Sequence, residues 1–339
     1  MTDKRCVELP TESAPGVKPG LWAGNGCAAA VQDPMNTAEM SSWEFSLTGK
    51  DGWPIACWRW GDCEFSKAIV QIAHGMGEHV GRYANLISVL VSAGFVVYGN
   101  DHRGHGRSVP PSHEFGDFGP GGFPLLVEDM YDLTRVAKTQ NPNKPLILLG
   151  HSMGSFAAQY YVLEHSREID GLVLSGTGAL DELARIAKST PADNFLNAHF
   201  QPARTPFDWL CRNPEVVDAF IEDPLCFASL QPSSMESFLA AGSVLADSSQ
   251  LRNIRGDLPI YIVSGSDDPV GQQLEGVRIL INRYHEAILP HVSHNFYPGG
   301  RHEMLNETNH VEVIHNLFAW LFSRSRMHSP RASWTRQKI

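Results

Sequence analysis

The stretch LILLGHSMGSFAAQYYVL, Leu146–Leu163, holds a serine between two glycines where an apolar run gives way to a helical pattern. GHSMG fits the pattern G-x-S-x-G, in which a sharp strand-to-helix turn holds the serine in a strained backbone conformation. Side chains at Gly150 and Gly154 would collide with neighbouring backbone. The turn leaves the Ser152 hydroxyl at a helix N-terminus, where amides and the helix dipole favour negative charge. The sequence therefore predicts that Ser152 is a nucleophile.

Strands and helices alternate on both sides of this turn. Short apolar runs such as KAIVQIAHG and FVVYGND predict buried strands, and YANLISVLVSAG between them has the helical period. Two alternating segments around GKDG, residues 49–52, predict a β-hairpin. Strands that alternate with helices of this length indicate crossover connections. The predicted fold class is α/β, with a mostly parallel, doubly wound sheet and helices on both faces.

The alternation breaks between residues 177 and 252, where helical fragments mix with proline, aspartate and aromatic residues. We predict that this segment is an inserted helical cap, so that the core comprises residues 41–176 and 253–323. Residues 1–40 are rich in Pro, Gly, Ala and Thr without any period, and we expect a poorly ordered extension. Residues 324–339 carry five basic and no acidic residues, which predicts a flexible basic tail.

Composition and net charge limit the partners and the cellular location that we expect. The 339 residues are 42% hydrophobic and 19% charged, as in globular proteins with a sizeable core. A net charge of −10 argues against a nucleic-acid partner and against strong binding to anionic membranes. The N-terminus lacks the apolar core of a secretory signal. The six cysteines form no CxxC pair and predict free thiols in a reducing compartment, so we expect a cytoplasmic location.

A serine nucleophile needs a base, and the base needs an orienting carboxylate. IYIVSGSDDPVG supplies Asp267 and Asp268 directly after a predicted strand, and either is a candidate acid. NFYPGGRHEMLNE supplies His302 in a loop after the last predicted strand. The order serine, aspartate, histidine is the one expected of an α/β-hydrolase.

The oxyanion that forms during acyl transfer needs two N–H donors. The amide of Met153, directly after the nucleophile, is one candidate. The loop AHGMGEH follows an early strand, and its two glycines let the backbone turn so that Met76 offers the second N–H.

These motifs together resemble the monoacylglycerol lipase and lysophospholipase branch of the α/β-hydrolases. The matching stretches are HGMGEHVGRY, NDHRGHGRS, GHSMG, SGSDDPVG and YPGGRHEMLNE, in that order. The site residues that the resemblance implies are the triad Ser152, Asp268 and His302, the oxyanion amides of Met76 and Met153, and the elbow residues Gly150, His151 and Gly154. The segment PARTPFDWLCRNPEVVDAFIEDPLC of the predicted cap resembles bacterial members.

The resemblance favours a serine esterase that acts on a small ester with one acyl chain. Contact with a membrane surface would be at most transient, through the cap, and the oligomeric state stays open. We expect no cofactor and no metal, because the histidines of AHGMGEH and NDHRGHG lack a metal-binding spacing.

Two other functions remain open. A proline-releasing aminopeptidase or amidase would need a carboxylate pair in the cap, where Glu215, Asp218 and Asp223 are candidates. A non-catalytic binding protein with a hydrolase fold would tolerate a broken triad.

Overall fold

A computed structural model describes residues 42–189 and 195–325 of the chain. The predicted extension 1–40 and residues 326–339 of the predicted tail lie outside the described residues. The strands are β1 (Ser42–Thr48), β2 (Pro54–Trp60), β3 (Ile69–Ala73), β4 (Val96–Asn100), β5 (Leu146–His151), β6 (Gly171–Ser175), β7 (Ile260–Gly265) and β8 (Val292–Tyr297). The α-helices are α1 (Ala84–Ser92), α2 (Gly122–Gln140), α3 (Met153–His165), α4 (Leu180–Ser189), α5 (Pro214–Glu222), α6 (Pro232–Ala246), α7 (Ser248–Leu251), α8 (Glu275–Glu286) and α9 (His310–Ser325).

The eight strands form one sheet in the order β1-β2-β4-β3-β5-β6-β7-β8. β1 and β2 form the predicted antiparallel hairpin, and β2 runs antiparallel to β4. The neighbours from β4 through β8 are all parallel. Every residue of β3, β4, β5, β6 and β7 is buried, so both faces of the central sheet are covered. The predicted α/β class is confirmed.

Residues 177–252, which we call the insertion, lie between β6 and β7. Its described part holds α4 to α7 and no strand. α6 packs closely on α4, because a Cβ at Gly242 would lie 2.8 Å from the backbone nitrogen of Asp181. The Arg283 guanidinium forms a two-point ion pair with Asp181, which joins α4 to the core helix α8.

The last helix differs from its predicted buried face at one residue. The helical period of HVEVIHNLFAWLF predicts that Val311, Ile314, Leu317, Phe318 and Leu321 face inward. Leu317 and Leu321 are buried as predicted, but Val311 is 71% exposed and Val313 is buried in its place. The helix continues to Ser325 and so includes the first two residues of the predicted tail.

Three histidines lie together in the interior, just beyond the ends of β3 and β4. The ring centroid of His74 lies 4.2 Å from that of His102 and 5.3 Å from that of His105. The backbone N–H of His102 donates to His74 Nε2 over 2.8 Å, so this ring is held neutral. Burial lowers the pKa of His74 to about 3 and that of His105 to about 4. The pKa of His102 is lowered for the same reason.

This cluster makes stability sensitive to acid. Below the ordinary histidine pKa of about 6.5 the unfolded chain binds protons that the folded chain excludes, so stability falls as the pH falls. We expect each histidine to reduce the free energy of unfolding by up to about 1.4 kcal/mol per pH unit until its folded pKa is reached. Urea unfolding at pH 7, 6 and 5 measures the slope. His102→Gln should make the slope shallower, and equal slopes in the two proteins would contradict the assignment.

Candidate active site

Ser152 occupies the turn between β5 and α3 with φ 52° and ψ −123°, a left-handed conformation that is strained for a residue other than glycine. A Cβ at Gly150 would lie 2.3 Å from the carbonyl oxygen of Gly154. A Cβ at Gly154 would lie 2.2 Å from the carbonyl oxygen of Ala73. Only glycine fits at either position, because the neighbouring backbone comes too close to leave room for a side chain. The Ser152 side chain stays partly exposed.

His302 and Asp268 meet beyond the ends of β8 and β7. His302 Nδ1 lies 3.0 Å from Asp268 Oδ1, and both residues are buried. Burial works against a charged imidazole, but the Asp268 carboxylate outweighs it and raises the pKa of His302 above its ordinary value. Nε2 of His302 has no hydrogen-bond partner in the described part of the chain. This nitrogen is therefore free to accept a proton.

The two candidate acids differ in position. Asp268 is buried and also accepts the N–H of Val270 over 2.9 Å, which fixes its carboxylate. Asp267 is exposed, and its carboxylate accepts a hydrogen bond from the Ser266 hydroxyl. The structure brings Asp268 to His302, and Asp267 makes no contact with that ring.

The His302 ring lies beside the nucleophile turn. Its centroid is 4.7 Å from that of His151, the residue that precedes Ser152. Gly176, at the end of β6 with φ 58°, makes room for both rings: a Cβ there would lie 2.8 Å from His302 Cε1 and 2.9 Å from His151 Cε1. The sequence analysis does not predict this role of Gly176. The signal that could have indicated it is a glycine directly after a buried strand.

The two candidate oxyanion amides border the same turn. A Cβ at Gly75 would lie 3.1 Å from Ser152 Cβ, so the loop that carries Met76 runs next to the serine. Met153 is the first residue of α3, so no carbonyl of its own helix accepts its N–H. Among the described residues neither the Met76 nor the Met153 amide donates to a protein acceptor.

A buried ion network joins the loop of Met76 to the loop of His302. Arg82 donates to Glu78 over 2.6 Å and to both carboxylate oxygens of Glu303 over 2.8 and 3.0 Å. Glu78 accepts the N–H of Gly75 over 2.6 Å and so holds the loop. The motif HGMGEHVGRY does not by itself predict this network, because the partner Glu303 lies 221 residues from Arg82.

One group of possible metal ligands lies within the described residues near this loop. Donor atoms of His79, Asp223 and Cys226 lie within 4.8 Å of one another. His79 Nδ1 accepts the N–H of Gly81, so the ring proton is on Nε2, which donates to Asp223 over 2.9 Å. That proton makes the contact a hydrogen bond between the insertion and the core.

Ser152 follows β5, Asp268 follows β7 and His302 follows β8. A serine, an acid and a histidine that follow strands of one parallel sheet in this order define an α/β-hydrolase. The family model described as serine aminopeptidase, S33, matches residues 65–309. The chain therefore belongs to this family.

Known proteins agree with this assignment. A monoacylglycerol lipase of Mycolicibacterium smegmatis is 30% identical over 293 residues, which cover 83% of this chain and 97% of that protein. A monoglyceride lipase of Mus musculus is 28% identical over 287 residues, covering 82% and 90%. A highly thermostable carboxyl esterase from Bacillus coagulans, solved in complex with glycerol, aligns with a TM-score of 0.77 at 29% identity, covering 84% and 99%. The predicted resemblance to monoacylglycerol lipases is confirmed.

The burial of the two aspartates predicts unequal effects of the same substitution. We expect Asp268→Asn to reduce kcat by about 10⁴-fold, because an amide no longer favours the imidazolium or fixes its tautomer. Asp267→Asn should change kcat less than about twofold, because exposed polar substitutions rarely disturb a distant group. Turnover of p-nitrophenyl butyrate measures both, and equal losses would show that the acid has been assigned wrongly.

Proposed function

We propose that this chain hydrolyses carboxylic esters that carry a single acyl chain, of the monoacylglycerol or lysophospholipid type. The observation that carries the proposal is the buried contact of 3.0 Å between His302 Nδ1 and Asp268 Oδ1, which leaves Nε2 without a protein partner near the serine turn. The named lipases and the esterase among its relatives support ester chemistry.

The reaction proceeds through an acyl-enzyme. Ser152 Oγ attacks the ester carbonyl carbon while His302 Nε2 takes the hydroxyl proton. The amides of Met76 and Met153 stabilise the oxyanion of the tetrahedral intermediate. His302 then protonates the leaving alcohol, and water repeats the cycle on the acyl-enzyme. Asp268 holds the tautomer with the proton on Nδ1 and stabilises the imidazolium.

The insertion acts as the cap and sets the preference for one acyl chain. Its Trp209 lies with its ring centroid 4.9 Å from that of His302, so apolar surface borders the base. Burying each methylene of an acyl chain contributes about 0.8 kcal/mol. We propose that the acyl chain lies in an apolar passage beneath the insertion that admits one chain, which would favour substrates with one chain over substrates with three.

The alternative functions have less support. The carboxylates that would hold a free amino group are engaged elsewhere: Asp218 pairs with Arg204 over 2.6 Å, and Asp223 bonds to His79. Glu215 lies exposed in the first turn of α5. A binding protein without catalysis has no need of a buried acid–base pair.

The setting that we propose is cytoplasmic, with at most transient contact between the cap and a membrane surface. Cys57, Cys63, Cys211 and Cys226 carry free thiols, which suits a reducing compartment. In the part of the chain that the structure describes, no helix has the length and apolarity needed to cross a bilayer.

Removal of the nucleophile tests the reaction. We expect Ser152→Ala to lower kcat for p-nitrophenyl butyrate by about 10⁴ to 10⁶-fold and to abolish labelling by a fluorophosphonate probe. Since alanine removes only the hydroxyl, the melting temperature should not fall. An alanine variant that keeps most of its activity would refute the assignment of Ser152.

Substrate size tests the cap. At matched ester concentration, we expect monomeric monoacylglycerol to be hydrolysed at least about tenfold faster than emulsified triolein, because the passage excludes additional chains. Proline p-nitroanilide serves as the amide control and should not be cleaved. Faster release of fatty acid from triolein would contradict the single-chain preference.

A further inference from the structure

The stretch RHEMLNE contributes His302 to the mechanism. It also contains Glu307, a carboxylate that the mechanism does not use. Glu307 is fully buried. Its Oε1 accepts the backbone N–H of Arg301 over 3.1 Å and that of Arg212 over 3.0 Å. Its Oε2 accepts Arg212 Nε over 2.9 Å and the N–H of Thr308 over 2.7 Å. One carboxylate therefore binds both the loop of His302 and a residue of the insertion.

The contact extends along two segments of backbone. Residues 208–212 of the insertion lie beside residues 301–307, and we call this pair of segments the clamp. The N–H of Glu303 donates to the carbonyl of Leu210 over 2.8 Å, and the N–H of His302 donates to that of Trp209 over 3.4 Å. The guanidinium of Arg301 donates to the carbonyls of Asp208 and Cys211.

The clamp contacts the base through a ring and a backbone carbonyl of the insertion. The His302 ring has the His151 ring at 4.7 Å and the Trp209 ring at 4.9 Å, between centroids. The insertion thus supplies one ring contact and one backbone acceptor to the base. A movement of residues 208–212 would move His302 relative to Asp268.

Arg212, in the insertion, joins the two segments of the clamp. Its Nε binds Glu307, its backbone N–H binds the same carboxylate, and its NH2 group donates to Asn309 Oδ1 over 3.1 Å. The Arg212 guanidinium and the backbone amides lower the pKa of Glu307 although burial alone would raise it. The carboxylate is therefore charged at neutral pH, and the ion pair persists there.

We propose that Arg212 is a positioning residue for the base: through Glu307 it holds the loop of His302 in the geometry that catalysis needs. The inference rests on the proposed ester hydrolysis.

The experiment compares Arg212→Met with Arg212→Lys and with Arg204→Met as the matched control. Arg204 lies in the same insertion and also forms an ion pair, with Asp218 over 2.6 Å, but both members of that pair have exposed side chains. Activity toward p-nitrophenyl butyrate is measured from pH 5 to 9 and expressed per active site titrated with a fluorophosphonate. Amide hydrogen exchange of the peptide that spans residues 301–307 gives a readout independent of activity.

In Arg212→Met we expect kcat per titrated site to fall about 10 to 100-fold with KM within about twofold, since small misplacements of a catalytic group have effects of this size. The apparent pKa of kcat/KM should fall, because His302 loses part of its contact with Asp268. Exchange in 301–307 should accelerate. Arg212→Lys should recover part of kcat, and Arg204→Met should match the unmodified chain in every readout.

Two outcomes would overturn the proposal. The first is an unchanged kcat per titrated site and an unchanged pH profile in Arg212→Met, even with a lower melting temperature, since that describes stability alone. The second is an equal effect in Arg204→Met. If the unmodified chain hydrolyses none of the esters, the proposed function fails, while hydrogen exchange still reports whether Arg212 holds the loop.

Discussion

The left-handed backbone of Ser152, with φ 52°, is the constraint on which the rest of the site depends. An L-residue adopts this conformation only where the surroundings compensate for the strain. The surroundings do so by close approach of α3 to β5 and β3, which Gly150 and Gly154 permit. The N–H of Ser152 donates to the carbonyl of Ser175 over 2.9 Å, which fixes the turn to β6. The serine is thus held by three adjacent strands.

Burial and the presence or absence of a carboxylate partner together determine the pKa values of the buried histidines. His302 and the cluster formed by His74, His102 and His105 are all buried, yet the pKa of His302 is raised while those of the cluster are lowered. The difference is Asp268, which accompanies His302 alone. One kind of side chain is therefore the proposed base in one place and a neutral packing group in another.

The sequence was informative wherever the decisive contacts are local. The nucleophile turn, the parallel strands and the order of serine, acid and histidine follow from short motifs and their periods, and the fold class is confirmed. The residues alone leave Asp267 and Asp268 as alternatives and the resemblance implies Asp268; the structure adds that Asp268 is the buried one of the two and lies 3.0 Å from His302. The role of Gly176 is not predictable from its own segment, because it depends on two rings from other segments.

Contacts across long separations explain the remaining gaps. Arg82 and Glu303, and likewise Arg212 and Glu307, are brought together by the sheet and the insertion, and no local pattern encodes such pairs. The exposed Val311 shows the same limit for packing, since a helical period identifies a face but not where the neighbouring core ends.

The insertion joins β6 to β7, and these two strands run parallel. Parallel neighbours must be joined by a crossover of a dozen or more residues that returns the chain to the end of the sheet where both strands begin. The insertion is therefore part of the connection between two strands of the core sheet as well as the proposed cap, and it cannot be removed as a self-contained module. A chimaera that exchanges this region between relatives should retain the return path through α7 and replace only the residues before it.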